Sequence, residues 1–192
     1  MNAPLFEIET GPYAIGLYAA ALVFLTTQFI PKPLEQGAAD PRDRGTTFLF
    51  WLPFVGLGFM VVRPYLLGGV PHPVLAAAGG ALSLLGIALL HVARWKLGRL
   101  YTVRVNIREG HRLVTDGIYS VMRHPRYAGF LYVGLGLPMI AGSAFGVLVF
   151  TIPLYVATLV RLRVEETVLE EVFGEEYRAY AARTKRVLPG IW

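Results

Sequence analysis

An all-α integral membrane protein is the fold class this sequence predicts, on three observations. The 192-residue chain is 55% hydrophobic and only 16% charged, well under the roughly 25% charge usual for soluble domains, and its mean hydropathy is +0.51. Stretches of low charge recur at residues 11–30, 48–70, 73–91, 127–142 and 144–160, and ~20 apolar residues make a helix long enough to cross a bilayer. Every lysine and arginine except Arg63 lies in 31–47, 94–126 or 161–192, while the alternate loops near 68–73 and 142–144 hold none. That alternation predicts about five transmembrane helices, with the N-terminus outside and the three basic stretches in the cytoplasm.

The elements follow in order. The first segment is expected to be retained, because Glu7 and Glu9 precede it in place of the basic region of a signal peptide. The second carries Arg63 beside Pro64 toward its outer end, where the side chain can snorkel to the interface. The third contains "AAAGGALSLLG" (76–86) and the fourth contains Gly129, Gly134 and Gly136, small residues that permit close helix approach in lipid. The fourth and fifth are short, and "AGSAFG" (141–146) is suited to a tight turn between them, which predicts a helical hairpin that either spans or dips and returns. Between the third and fourth, residues 94–125 mix aromatics with arginines around turn signals at Glu109-Gly110 and Asp116-Gly117, a pattern of chain folded against the interface.

Beyond the fifth, Val164, Val168, Leu169, Val172 and Phe173 fall at helical spacing among carboxylates. Gly174 then breaks the pattern before a second short helix bearing Tyr177 and Tyr180, which Pro189 ends. These predict a cytoplasmic C-terminal pair of amphipathic helices on the membrane surface. No internal repeat is visible, so residues 1–192 form one domain, with N-terminal helices in 1–93 and a more polar half in 94–192.

Composition also excludes. With no cysteine, disulfides, thiolate metal sites and cysteine nucleophiles are ruled out together. His72, His91, His111 and His124 are scattered, without metal-ligand spacing, so no metal is predicted. Dinucleotide, phosphate-loop and nucleophile-elbow motifs are missing. The net charge of +5 and pI near 9.6 fit anionic lipid headgroups at the cytoplasmic rim, not nucleic acid.

Two constellations exceed what a membrane collar needs. In "VMRHPRYAGF" (121–130), proline biases His124 away from helix and itself suits a helix start, so Arg123, His124 and the first-turn amides can meet an anion. Arg126 reads as an orientation signal, whereas flanking charge demands neither His124, Tyr127 nor Gly129. The second constellation is Arg161, Arg163, Glu165 and Glu166, where Arg161 and Glu165 are helix neighbours at i, i+4 just as the fifth segment leaves the membrane, with a plain structural salt bridge as the alternative reading. Ionisable groups at that depth are paired or functional.

"VTDGIYSVMRHPRYAGF" and "RLRVEETVLEEVFGEEYRAYAARTKRVLP" together resemble the isoprenylcysteine carboxyl methyltransferase family and its relatives, the phospholipid methyltransferases, over residues 95–192. The resemblance implies a membrane enzyme that binds S-adenosyl-L-methionine on the cytoplasmic side and methylates a lipophilic or small-molecule acceptor arriving from the lipid bilayer, with 1–93 on the acceptor side. It further implies that Gly117, Tyr119, His124, Pro125, Tyr127 and Gly129 line the cofactor pocket with Glu165 as a polar partner, and that Arg161 and Glu166 serve catalysis. Arg123 or His124 would hold the cofactor's carboxylate. A carboxylate acceptor would need only Arg161; an amine or thiol would give its proton to Glu166 or His124.

Two rival readings follow from the same residues. An NADPH-dependent sterol-type reductase is similar in His-Pro-x-Tyr-x-Gly and the closing "PGIW", but such enzymes carry an acid after that glycine, where Phe130 stands here. A non-catalytic lipid- or partner-binding protein leaves the pairing of the two motifs unexplained.

Overall fold

The computed structural model describes Ala19 and residues 45–57, 72–100 and 112–187. Among these the chain is helical, without a strand beyond one isolated bridge. Apart from Ala19 the first expected span lies outside the described residues, as do Arg63 and His111, and the second span is described only through residue 57.

Helix α1 (Thr46–Trp51) starts after Gly45, whose φ of 77° turns the chain sharply into it, and the apolar helix continues to Leu57. Helix α2 (Pro73–Leu97) begins with proline at its first turn, where no amide hydrogen is missed. It ends at Gly98 (φ 54°), whose amide donates to the Arg94 carbonyl, with Arg94 and Lys96 set favourably against the C-terminal dipole. Its buried positions are Ala76, Gly79, Ser83, Gly86, Leu90 and Ala93, while Val74, Leu84, Leu85 and Trp95 point outward. Small residues inside and large apolar ones outside suit a helix whose solvent is lipid.

A turn at Gly117 (φ 62°) leads into the short α3 (Ile118–Val121), and α4 (Pro125–Ile140) follows. Helix α4 is buried along nearly its whole length. It runs antiparallel to α2 at backbone contact: a Cβ on Gly129 would meet the Gly86 carbonyl oxygen at 2.7 Å, and one on Gly136 would meet that of Gly79 at 2.5 Å. Each glycine is therefore fixed by its neighbour's backbone.

The hairpin expected from "AGSAFG" is present. Gly142 (φ 58°) reverses the chain, and the Ser143 Oγ caps the next helix by accepting from the Gly146 amide at 3.0 Å. Helix α5 (Ala144–Arg183) passes through a π-helical turn at Val147–Thr151, where the Thr151 hydroxyl donates to the Gly134 carbonyl of α4. It bends at Gly174 (φ 52°, ψ −121°). By length and composition, α2 and α5 are long and apolar enough to cross a membrane.

One expectation is corrected here. The first of the two C-terminal amphipathic helices is no separate surface helix, for it continues the fifth segment unbroken as far as Gly174. Between Val160 and Phe173 no glycine or proline interrupts the i→i−4 hydrogen-bond ladder. The break at Gly174 stands where the sequence placed it. Residues 184–187 then run back alongside 122–124, with a bridge between Met122 and Lys185.

Candidate active site

The beginning of α4 lies between α1, α5 and the returning C-terminal segment. Arg123 donates its backbone amide to the Lys185 carbonyl at 2.7 Å and His124 donates its own to the Arg186 carbonyl at 2.9 Å. His124 is non-helical (φ −127°, ψ 58°), as its position before proline requires, and Pro125 opens the helix. The pinned backbone turns the His124 ring inward, and its residue is only 4% exposed.

Tyr127 is the hub. Its hydroxyl accepts from Arg161 Nε at 2.8 Å and from Arg126 Nη2 at 2.9 Å, and donates to Glu165 Oε2 at 2.6 Å. One donor and two acceptor sites are all that a phenol has, so the oxygen is saturated and its three partners are fixed relative to one another. Arg161 and Glu165, expected as an i, i+4 pair, thus meet through a hydroxyl supplied by another helix. Arg161 is 1% exposed, as is Tyr127. Arg161 Nη1 also donates to Thr47 Oγ1 at 2.9 Å and Thr46 Oγ1 at 3.3 Å on α1.

An aromatic row continues from this point: the Arg161 guanidinium carbon lies 5.9 Å from the Phe50 ring centroid, and Phe50 packs edge-on against Tyr127 at 5.8 Å and Phe130 at 4.8 Å. Edge-to-face contact is the favoured geometry at these separations.

Glu166 faces another way. Its Oε1 accepts from Arg123 Nε at 3.2 Å, Arg123 Nη2 at 3.1 Å and His124 Nε2 at 3.3 Å, and its Oε2 accepts from Arg186 Nε at 2.9 Å and Nη2 at 2.8 Å. Arg123 Nη1 reaches on to the carbonyls of Ala181, at 2.9 Å, and Thr184. The group lies beyond Val160, where the apolar run ends. Burial alone would raise the Glu166 carboxyl, but hydrogen bonds from His124 and Arg186 and the nearby charges outweigh it and hold the group well below the usual carboxylate range.

Two of the expected site residues are engaged by the protein itself. Glu166, expected to serve catalysis, including as a proton acceptor, is held ionised, and its contacts tie α4, α5 and the C-terminal segment together as a bracket. Arg123, expected to hold an anion, spends its guanidinium on Glu166 and two carbonyls. Gly129 packs with its face against Gly86 and Leu90 of α2. Gly117 sits over Lys96, whose ammonium meets Asp116 at 2.5 Å. Tyr119 is buried and takes a hydrogen bond on its carbonyl from the Tyr180 hydroxyl at 2.7 Å.

Four participants were missed. Arg126, read as an orientation signal, contacts both Tyr127 and Glu165, the latter at 3.6 Å. Thr46, Thr47 and Arg186 carried no sequence signal, since each acquires its role only through a contact made distant in sequence.

The sequence model of the isoprenylcysteine carboxyl methyltransferase family matches residues 80–171. Over that stretch the chain is similar to the family. Protein-S-isoprenylcysteine O-methyltransferase B of Arabidopsis thaliana is 34% identical over 115 residues, which cover 59% of this chain and 58% of that protein. A probable protein-S-isoprenylcysteine O-methyltransferase of Oryza sativa subsp. indica is 32% identical over 115 residues, 59% of this chain and 60% of the relative. The chain thus spans about three fifths of the length of these curated relatives. The solved structure of the eukaryotic intramembrane Ras methyltransferase ICMT (isoprenylcysteine carboxyl methyltransferase) superposes with a TM-score of 0.61 at 21% identity, covering 96% of this chain and 70% of that one. The two chains therefore share a fold. Tyr127, Arg161, Glu165 and Glu166 all lie inside the matched region, whereas Thr46, Thr47 and Arg186 lie outside it.

Proposed function

We propose that this chain is a membrane methyltransferase that uses S-adenosyl-L-methionine to methylate a carboxylate on a lipid-like acceptor, as the names of its prenylcysteine-methylating relatives suggest. The observation that carries the reading is the buried Arg161 joined to Glu165 through the Tyr127 hydroxyl. One side of the hub offers a cation for an anionic acceptor and the other an anion for a donor that bears hydroxyls and positive charge.

The residues fit such a donor. Glu165 commits Oε2 to Tyr127, while among the described residues its Oε1 accepts no hydrogen bond and stands 4.0 Å from His124 Nδ1. Its side chain is 25% exposed, so the carboxylate is open to approach by an incoming ribose hydroxyl. First-turn amides of α4 have no carbonyl within their own helix and suit a carboxylate. The cofactor would supply a methyl group on a sulfonium. Glu165, His124 and the start of α4 would hold it there, and Gly117, Tyr119 and Pro125 would shape the wall around it.

Arg161 would orient the acceptor carboxylate, and a carboxylate is already the nucleophile, so no residue need remove a proton. That agrees with a Glu166 too weakly basic to do so. Holding the two reacting groups in line in a site sheltered from water is then most of the catalysis. The aromatic row from Phe50 to Phe130 offers an apolar path for the acceptor's lipid portion.

The same reading orders the membrane topology. Because α2 and α4 are antiparallel, Arg94 and Lys96 share one end of the bundle with Arg123 and Arg126, and a cytoplasmic location for that end follows from the positive-inside rule. On this basis about five spans carry the N-terminus outside and the C-terminus in the cytoplasm.

Calorimetry on detergent-purified protein tests the reading. S-adenosylmethionine and its demethylated product are expected to bind and NADPH not to, and a prenylcysteine bearing a free carboxylate is expected to yield a base-labile methyl ester. Binding of NADPH alone overturns it.

A further inference from the structure

Arg161 is gripped from outside the region the family model matches. Thr46 and Thr47 open α1, more than a hundred residues upstream, yet both hydroxyls accept from its Nη1. Nε is held by Tyr127, and the Phe50 ring, one turn along α1, lies beside the guanidinium carbon. A guanidinium is a rigid plane whose usefulness depends on where its edges point. Hydrogen bonds at Nε and Nη1, with an aromatic ring nearby, fix both the in-plane direction and the tilt.

The chemistry of these two partners is informative. Threonine hydroxyls are neutral, so they orient Nη1 without cancelling the charge that Arg161 presents to an anion, as a carboxylate in the same place would. Their β-branched side chains are also stiff about χ1. Adjacent residues on a helix diverge by about 100°, so two hydroxyls converging on one nitrogen approach it from separated directions.

Building on the methyltransferase reading, we infer that Thr46 and Thr47 are positioning residues that set the acceptor specificity of Arg161, holding the guanidinium in the orientation that prefers a carboxylate over a neutral group of the same shape. Helix α1 thereby takes part in choosing the acceptor as well as in forming the apolar wall.

The test uses the full-length protein in lipid nanodiscs, with the variants Thr46→Val/Thr47→Val and Thr46→Val/Thr47→Ser. Valine keeps the shape of threonine without its hydroxyl, and serine keeps the hydroxyl at position 47. Three quantities are measured: affinity for S-adenosylmethionine, kcat and KM for a farnesylcysteine carboxylate, and competition between that carboxylate and the matching carboxamide. The double valine variant is expected to bind the cofactor as the parent does, to raise the acceptor KM, and to lose about tenfold of the carboxylate-over-carboxamide preference. The serine variant is expected to recover most of it.

Undiminished carboxylate preference in the double valine variant overturns the inference, and so does equal loss in the serine variant. A parallel fall in cofactor affinity also overturns it, since that marks general loosening of the bundle. If the parent protein neither binds the cofactor nor forms an ester, the methyltransferase reading fails and this inference with it; a parent that does both while its variants match it removes this inference alone.

Discussion

The two ends of the string VMRHPRYAGF, residues 121–130, are built on different physics. At its front, Arg123, His124 and Tyr127 sit among Arg126, Arg161, Glu165, Glu166 and Arg186, and position is fixed by directional, charge-assisted hydrogen bonds. At its back, Gly129 begins an interface in which α2 and α4 approach until backbone meets backbone. That interface gains close packing between the helices from having no side chain in the way. A sequence motif spanning both can be mistaken for one functional unit. Here the front joins the polar cluster of the candidate site, and the glycines set how closely α2 and α4 approach.

The largest effect is expected where the packing end is broken. On Gly136 a Cβ would meet the Ser83 side chain and the Gly79 carbonyl oxygen together, and neither helix backbone can yield without separating from the other. Gly136→Leu should cost about 3 kcal/mol or more, the upper range for overpacking. Thermal unfolding in detergent should show a large drop in melting temperature, with loss of cofactor binding as the site comes apart. A Gly136→Leu protein as stable as its parent would mean that α2 and α4 are not in backbone contact.

Breaking the polar end should do less to stability and show a different pH signature. Glu166→Gln removes the charge that draws Arg123, His124 and Arg186 together, with an expected cost of about 2 kcal/mol for a partly buried charge-assisted cluster. The folded-state carboxyl is depressed, so its contribution is fully present above its unfolded value near pH 4.5 and is lost as pH falls through the lower folded value. The parent should therefore keep its stability from pH 7 to about pH 5 and lose this increment only in more acidic solution. The glutamine variant should start lower and lack that acid-side slope. An identical pH dependence in both proteins would remove Glu166 from the bracket.

The contrast also explains what could be read from the sequence. The hairpin, the proline-started helix at Pro125 and the break at Gly174 were legible because each follows from local backbone chemistry. His124, Tyr127, Arg161 and Glu165 were legible as candidates because those residue types are costly at a membrane surface unless paired or functional, and the structure brings them together. The contacts of Glu166 and Arg123 were not legible, since Ala181, Thr184 and Arg186 are brought in by the bend at Gly174. Thr46 and Thr47 were invisible for a similar reason: hydroxyls at a helix start are ordinary until Arg161 arrives from another helix. At Gly129 the structure shows a close approach to Gly86 and Leu90, which the sequence did not reveal, since spacing cannot distinguish a residue that makes room for a cofactor from one that makes room for a neighbouring helix.

The smallest effect is expected at Arg178, which has what looks like a cluster similar to that of Glu166. It meets Glu175 at 2.6 Å on its own side of the Gly174 bend and Glu170 at 3.1 Å across it, so distances alone would rank it beside the bracket. Its side chain is 52% exposed, however, against 14% for Glu166. In water, two flexible side chains give up rotamer freedom for an attraction that solvent and salt largely screen. Arg178→Ala should therefore leave melting temperature, cofactor affinity and turnover within error of the parent at 0.15 M salt. A clear loss of stability would show that the Gly174 bend is held by this exposed pair and not by Glu166, Arg123 and Arg186, and would move the centre of the bracket to the outer face of α5.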